Sequence, residues 1–318
     1  MTNKTLPTKK FDFIKGYTFG FCTPKGGFKQ PIAKESLLLM KERTGCTHVI
    51  FALSALQQTA QSVYVDFVGD HMVDDDELIS MITYAKTIGL TPILKPLVNV
   101  SNGTWRAHIN FFDYDVPCEP KWSDWFKSYT KFQLHYAKIA EQTGCSMLIV
   151  GCEMVQTERR DAQWRQLITE VREHYSGLIS YNTDKYQEDH ITWWDAVDVI
   201  SSSGYYPIDD WDNQLARIQR VVEKFNKPFF FAEAGCMSTD GSQFVPNDWS
   251  LPGILSEQVQ ADYYRVFFTK TLAQPWIQGY GLWDWSSNLY PIDAAKSDKG
   301  YAVYGKVAEQ VIHNFFSQ

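Results

Sequence analysis

The chain has 318 residues, 44% of them hydrophobic and 15% aromatic, and carries a formal net charge of −7 with a pI near 5.5. No basic stripe accompanies that charge, which argues against nucleic acid or an anionic membrane surface as a partner. The apolar share is ample for a large core, and 11 Trp and 17 Tyr are many for a plain scaffold.

The opening "MTNKTLPTKKFDF" has lysines but no apolar stretch of the signal-peptide type. No run reaches the ~18–20 apolar residues of a membrane span. The expectation is a cytoplasmic protein: a polar tail over residues 1–12, then one domain over 13–318. The six cysteines (Cys22, Cys46, Cys118, Cys145, Cys152, Cys236) lack CxxC spacing and read as free thiols. The seven histidines form no HxH or HExxH pattern, so neither a metal nor another cofactor is expected. The "NGT" at Asn102 would matter only in a secreted protein.

In chain order, "FIKGYTFGF" (Phe13–Phe21) reads as a first strand. "KESLLLMKERTG" reads as a helix closed by Gly45, and "THVIFALSA" as a second strand. "DDDELISMITYAKTIG" has acids in its first turn and Gly89 at its end, a helix signature, and its Asp74–Asp76 run reads as a solvated N-terminus. "TPILKPLVNV" is a third strand. The long helix "KWSDWFKSYTKFQLHYAKIAEQTG" ends in "TGC" as the first one did, and each "TGC" precedes a strand. Strand four is "SMLIVGCE". Helix "DAQWRQLITEVREHY", strand "GLISYN", strand "VDVISSSGYY", helix "DNQLARIQRVVEKFN" and strand "KPFFFAE" follow. Helix "SEQVQADYYRVFFTKTLA", strand "IQGYGLWDW" and helix "KVAEQVIHNFFS" complete the series.

Eight apolar, β-branched-rich strands, each followed by a helical segment, point to an α/β fold: a single (β/α)8 TIM barrel. A doubly wound open sheet is the rival. It would carry a Gly-rich phosphate loop after the first strand, and "FGFCTPKGG" lacks the GxGxxG spacing.

In a barrel of this type the C-terminal strand ends build the active site. Strand three ends with Lys95 and Asn99, strand four with Glu153, and strand five with Tyr181 and Asn182. Strand six offers Tyr205 and Tyr206, strand seven Glu233, and strand eight Trp283, Asp284 and Trp285. Glu233 closes a run of four apolar residues, where an ionised carboxylate is costly unless paired or solvated. Strands four and seven face each other across the barrel, so Glu153 and Glu233 are expected to point at one cavity. Two carboxylates across a sugar-sized gap are the equipment of glycoside hydrolysis. At ~5 Å and an effective dielectric near 20, they repel by roughly 3 kcal/mol. That is about two pKa units, enough to keep one protonated near neutrality while its partner stays ionised. On this reading Glu233 is the nucleophile.

The ordered strand ends "GYTFGF", "ILKPLVNV" followed by "TWR", "VGCE", "SGYYP", "FAEAG" and "GLWDW" resemble glycoside hydrolase family 113, the β-1,4-mannanases, within the clan A retaining glycosidases. The resemblance covers nearly the whole chain. It implies cleavage of β-1,4-mannosidic bonds in mannan or manno-oligosaccharides by double displacement, with Glu153 as acid/base and Glu233 as nucleophile. It gives a strand-six tyrosine the task of hydrogen-bonding the nucleophile, with Tyr205 preferred to Tyr206. Trp283 would be the platform under the sugar, and Lys95, Asn99, Trp105 and Asn182 hydroxyl-binding or wall positions, with Trp285 beside them. Most clan members place Asn before the acid/base, where it binds the sugar 2-hydroxyl; here that position, a candidate substrate contact, is Cys152.

Other readings stay open at this stage. The enzyme could act on another β-linked oligosaccharide, a glucoside or galactoside, or the barrel could bind sugar without cleaving it. Lys95 could be a Schiff-base lysine of an aldolase-like barrel, or could pair with a cavity carboxylate. Trp193–Trp194, Trp122 and Trp125 read as packing residues. A cytoplasmic location would make imported oligosaccharides the substrates.

Overall fold

The computed structural model describes residues 12–318; the expected polar tail lies, apart from Asp12, outside the described residues. Eight parallel strands close into a barrel in sequence order: β1 (Ile14–Phe19), β2 (His48–Gln57), β3 (Thr91–Val100), β4 (Met147–Cys152), β5 (Leu178–Thr183), β6 (Val199–Ser203), β7 (Phe229–Glu233) and β8 (Ile277–Trp285). Around them lie α1 (Pro31–Thr44), α2 (Asp75–Thr87), α3 (Trp122–Thr143), α4 (Asp161–Arg172), α5 (Trp211–Phe225), α6 (Glu257–Leu272) and α7 (Val307–Phe316).

The expected helix starts and stops have physical counterparts. The α1 helix begins at Pro31, whose missing N–H costs nothing in a first turn. The α1 and α3 helices both end on a left-handed glycine, Gly45 at φ 71° and Gly144 at φ 66°. In α2 the Asp74 side chain accepts from the Glu77 amide while Glu77 accepts from the Asp74 amide, a reciprocal cap. One expectation fails. No α-helix follows β5 among the described residues; a loop with a single turn at Trp194–Ala196 leads to β6 instead. Its segment "DKYQEDHITWWDAV" has no 3.6-residue apolar period. Trp193 and Trp194, both fully buried, fill the space a helix would occupy, and Trp193 stacks on Trp164 of α4 at 5.0 Å.

Inside the barrel, Ile14, Ile50, Ile93, Met147, Ile149, Val199, Phe230 and Ala232 form a closed apolar layer toward the N-terminal ends of the strands. Residues of opposite parity, such as Phe51, Leu94, Val150, Phe229 and Phe231, pack outward with the helices in the main core. The apolar layer seals one end, so polar residues further along the strands can open only toward the C-terminal face. Among the described residues no helix is long and apolar enough to cross a membrane.

The seam between β1 and β8 is close enough to demand glycine. At Gly279 (φ 141°) an added Cβ would meet backbone atoms of Ile14 at 2.4 and 2.5 Å. At Gly26 (φ 85°) nothing lies within 4 Å. Gly279→Ala is expected to lower unfolding free energy by about 3 kcal/mol or more, and Gly26→Ala by only about 1–2 kcal/mol. Urea midpoints at unchanged slope measure both.

Candidate active site

Strict alternation along β7 would turn Glu233 outward, because Phe230 and Ala232 already face the barrel axis. The pairing of β6 with β7 shifts between Ser202/Phe231 and Ser203/Glu233, placing an extra residue in β7. This bulge turns Glu233 inward directly after Ala232. A second shift, between Ile149/Ser180 and Cys152/Asn182, does the same for Cys152 on β4. The next residue, Glu153, adopts φ 53°, a left-handed conformation rare for a non-glycine residue and found preferentially at functional sites. Its amide donates to Asn182 O at 2.7 Å, which ties the turn to β5.

Glu233 is almost wholly buried, yet each carboxylate oxygen has a donor. Lys95 Nζ lies 2.6 Å from Oε1, the Cys152 thiol donates to Oε1 at 3.2 Å, and Tyr205 OH donates to Oε2 at 3.0 Å. Burial by itself raises the Glu233 carboxyl. The Lys95 charge first, then Arg106, then the hydrogen bonds from Lys95 and Cys152 outweigh burial and hold it below its ordinary value. Burial and then the Glu233 charge push the Cys152 thiol and the Tyr205 phenol up, so both remain protonated donors.

Glu153 has a different set of partners. Ser203 Oγ donates to Oε1 at 2.7 Å and Trp105 Nε1 to Oε2 at 3.4 Å, while Arg106 Nη2 stands 3.9 Å from Oε2. Both donors at hydrogen-bond distance are neutral. One oxygen of each glutamate and Cys152 Sγ lie within 4.8 Å of one another. This trio is the group of metal-ligand type among the described residues. Lys95 and Arg106 stand against its two carboxylates, at 2.6 and 3.9 Å.

The two carboxylates open into a cavity of about 620 Å³ at the C-terminal end of the barrel. Asn99, Trp105, Arg106, Asp184, Trp249 and Trp283 are among its walls. A larger open groove of about 750 Å³ runs along α3 and α4 on the barrel exterior, away from both glutamates. At the cavity floor the Trp283 ring meets Phe21 edge-on at 4.7 Å, with Lys95 Nζ 5.6 Å from its centroid. Asp184 is pushed up to about 7, by burial first and then by the Glu153 charge, against the pull of Lys185.

Five sequence expectations need correction. Lys95 is fully buried against Glu233 and outside the cavity wall, so it positions a carboxylate rather than binding hydroxyls. Asn182 faces the barrel axis but is sealed below the cavity, where its amide donates to Ser203 Oγ at 3.0 Å and Thr183 O at 2.9 Å. Tyr206 points the opposite way from its neighbour Tyr205 and donates to buried Glu188. Trp285 follows an extra residue in the β1–β8 pairing, so it turns to the helical layer and donates to Ser36 Oγ on α1 at 3.0 Å. Cys152 is likewise buried beneath the wall and reaches the site through Glu233. The sequence reading missed Arg106, Ser203, Asp184 and Trp249. Arg106 adjoins Trp105 in "TWR" and could have been found there; Trp249 sits in the long irregular loop between β7 and α6, which carries no periodic signal.

The sequence profile of Glycoside Hydrolase Family 113 matches residues 17–306. The chain belongs to glycoside hydrolase family 113. Among solved structures, two of a family-113 β-1,4-mannanase, one of them a complex, are 60% identical to this glycoside hydrolase. Each has a TM-score of 0.96, with 97% of this chain and 100% of the other covered. The family-113 β-mannanase AaManA from Alicyclobacillus acidocaldarius, in complex with ManMIm, is 40% identical with a TM-score of 0.94 over 98% and 99% of the two chains. A β-glucuronidase at 14% identity and TM-score 0.65 shares the fold. A comparison with curated proteins gave no match. Family membership sets aside the aldolase reading of Lys95, in line with its burial against a carboxylate.

Breaking a buried ion pair from one side strands a charge. Lys95→Met is expected to lower the unfolding free energy at pH 7 by about 3–5 kcal/mol, and Lys95→Met with Glu233→Met to recover most of that loss. Glu233 sits below its unfolded-state value, so the stability it contributes is present above that value and is lost as pH falls through the folded one. Urea denaturation of both variants is the check; equal loss in single and double variants would contradict the stranded-charge account.

Proposed function

We propose that this family-113 glycoside hydrolase cleaves β-1,4-mannosidic bonds in mannan or manno-oligosaccharides with retention of anomeric configuration. The observation that carries the retaining mechanism is the spacing of the carboxylates. An oxygen of Glu153 lies within 4.8 Å of one of Glu233, which fits the roughly 5–5.5 Å of retaining enzymes and leaves no room for the intervening water of inverting ones, at roughly 6.5–9.5 Å. That the 60% and 40% identical relatives are a β-1,4-mannanase and a β-mannanase supports mannose as the sugar.

In the first step Glu233, ionised by its cationic surroundings, attacks the anomeric carbon as the glycosidic C–O bond breaks. Glu153 gives its proton to the departing oxygen. The product is a mannosyl ester of Glu233 and a shortened sugar. In the second step Glu153, now a carboxylate, takes a proton from water; the hydroxide adds to the anomeric carbon and Glu233 leaves with the ester electron pair. Trp283 at the cavity floor supplies the apolar face for the reacting sugar, and Tyr205 steadies the oxygen of Glu233 that Lys95 does not hold.

Proton NMR of the enzyme with mannotetraose, followed from the first minutes, tests the proposal. The expected result is cleavage with the β-anomer appearing first, and a loss of at least about 10³-fold in Glu233→Ala. An α-anomer appearing first would overturn retention. Intact mannotetraose beside rapid cleavage of cellotetraose or a β-galactoside would overturn the choice of mannose.

A further inference from the structure

Glu153 has two oxygens, and an acid catalyst must carry its proton on the one that meets the substrate. The environment of Glu153 separates them. Oε2 faces Trp105 and Arg106, both cavity walls. Oε1 faces inward to Ser203, which has no solvent exposure.

The direction of each hydrogen bond behind Oε1 follows from one carbonyl. Asn182 is fully buried on the neighbouring strand, and one end of its amide lies 2.9 Å from Thr183 O. A carbonyl oxygen can only accept, so that end is Nδ2. The same Nδ2 lies 3.0 Å from Ser203 Oγ and donates to it. Ser203 therefore receives a hydrogen on one side and turns its own toward Glu153 Oε1, 2.7 Å away. A proton on Oε1 would compete with that hydroxyl hydrogen at 2.7 Å, whereas at Oε2 the Trp105 indole N–H stands farther off, at 3.4 Å, and leaves room for one.

We propose that Asn182 and Ser203 are positioning residues that fix the acidic proton of Glu153 on Oε2, the oxygen open to the leaving group. This rests on the acid/base reading of Glu153 and extends it. The chain recruits Asn182, one layer beneath the cavity, into catalysis without contact with the sugar. Ser203 then matters in proportion to how much the leaving group needs a proton. An alkoxide leaving group of an oligosaccharide needs one; a dinitrophenolate does not.

The test compares kcat/KM for mannotetraose and for 2,4-dinitrophenyl β-mannoside in four enzymes: wild type, Ser203→Ala, Asn182→Ala and the double variant. Ser203→Ala is expected to lose about tenfold or more on mannotetraose and less than about twofold on the aryl mannoside. Asn182→Ala is expected to show the same split at smaller size. The double variant is expected to be no worse than Ser203→Ala, since both act through one hydrogen bond. Equal losses on both substrates, additive losses in the double variant, or a Ser203→Ala enzyme indistinguishable from wild type would overturn the proposal. Glu153→Ala is the control that separates the two readings. If it loses mannotetraose cleavage while Ser203→Ala behaves as wild type, only the proton-placing chain falls. If it keeps mannotetraose cleavage, the acid/base role itself falls.

Discussion

A fully buried ammonium and a nearly buried carboxylate, 2.6 Å apart at the top of an apolar layer, set the conditions for the rest of the site. Neither charge is affordable alone in that position. Lys95 stands one pleat above Ile93 of the layer, so β3 brings the cation to the axis by simple alternation. Glu233 needs a bulge to reach it. Once the pair forms, Glu233 is fixed in its ionised state and in one orientation. Tyr205 and the Cys152 thiol then fill its remaining acceptor positions.

The electrostatic asymmetry of the two glutamates arises here. Mutual repulsion of like charges was reason enough, on the sequence, to expect one protonated and one ionised carboxyl. The structure supplies a further cause on the side of Glu233, whose cationic neighbours hold it below its ordinary value. Glu233 has a lysine in direct contact, whereas Glu153 is held at hydrogen-bond distance by a serine and an indole. The cysteine before Glu153 belongs to the same arrangement. Its thiol, kept protonated by burial and by the Glu233 charge, donates to the carboxylate on the opposite strand, so the position supports Glu233 from below.

The barrel was legible in the sequence because its signals are local: apolar strand runs, an acidic first turn at α2, and glycines at the ends of α1 and α3. The two glutamates were legible because a carboxylate ending a buried strand is costly unless it has a task. Side-chain direction near the strand ends was not. Glu233, Cys152 and Trp285 each lie at an irregular register, where period-two counting gives the wrong face. The hydrogen-bond partners that separate Tyr205 from Tyr206, or seal Asn182 beneath the cavity, come from strands distant in sequence. The missing helix after β5 was masked by the regular alternation on either side of it.

The account turns on Glu233 being an ionised nucleophile because Lys95 holds it so. The most direct measurement is covalent trapping with 2-deoxy-2-fluoro-β-mannosyl fluoride, with mass spectrometry of the labelled peptide and the labelling rate followed across pH. The account predicts one label, on Glu233, with an acid inflection below the ordinary glutamate value of about 4.3. A label on any other residue, or an inflection above that value, would contradict it.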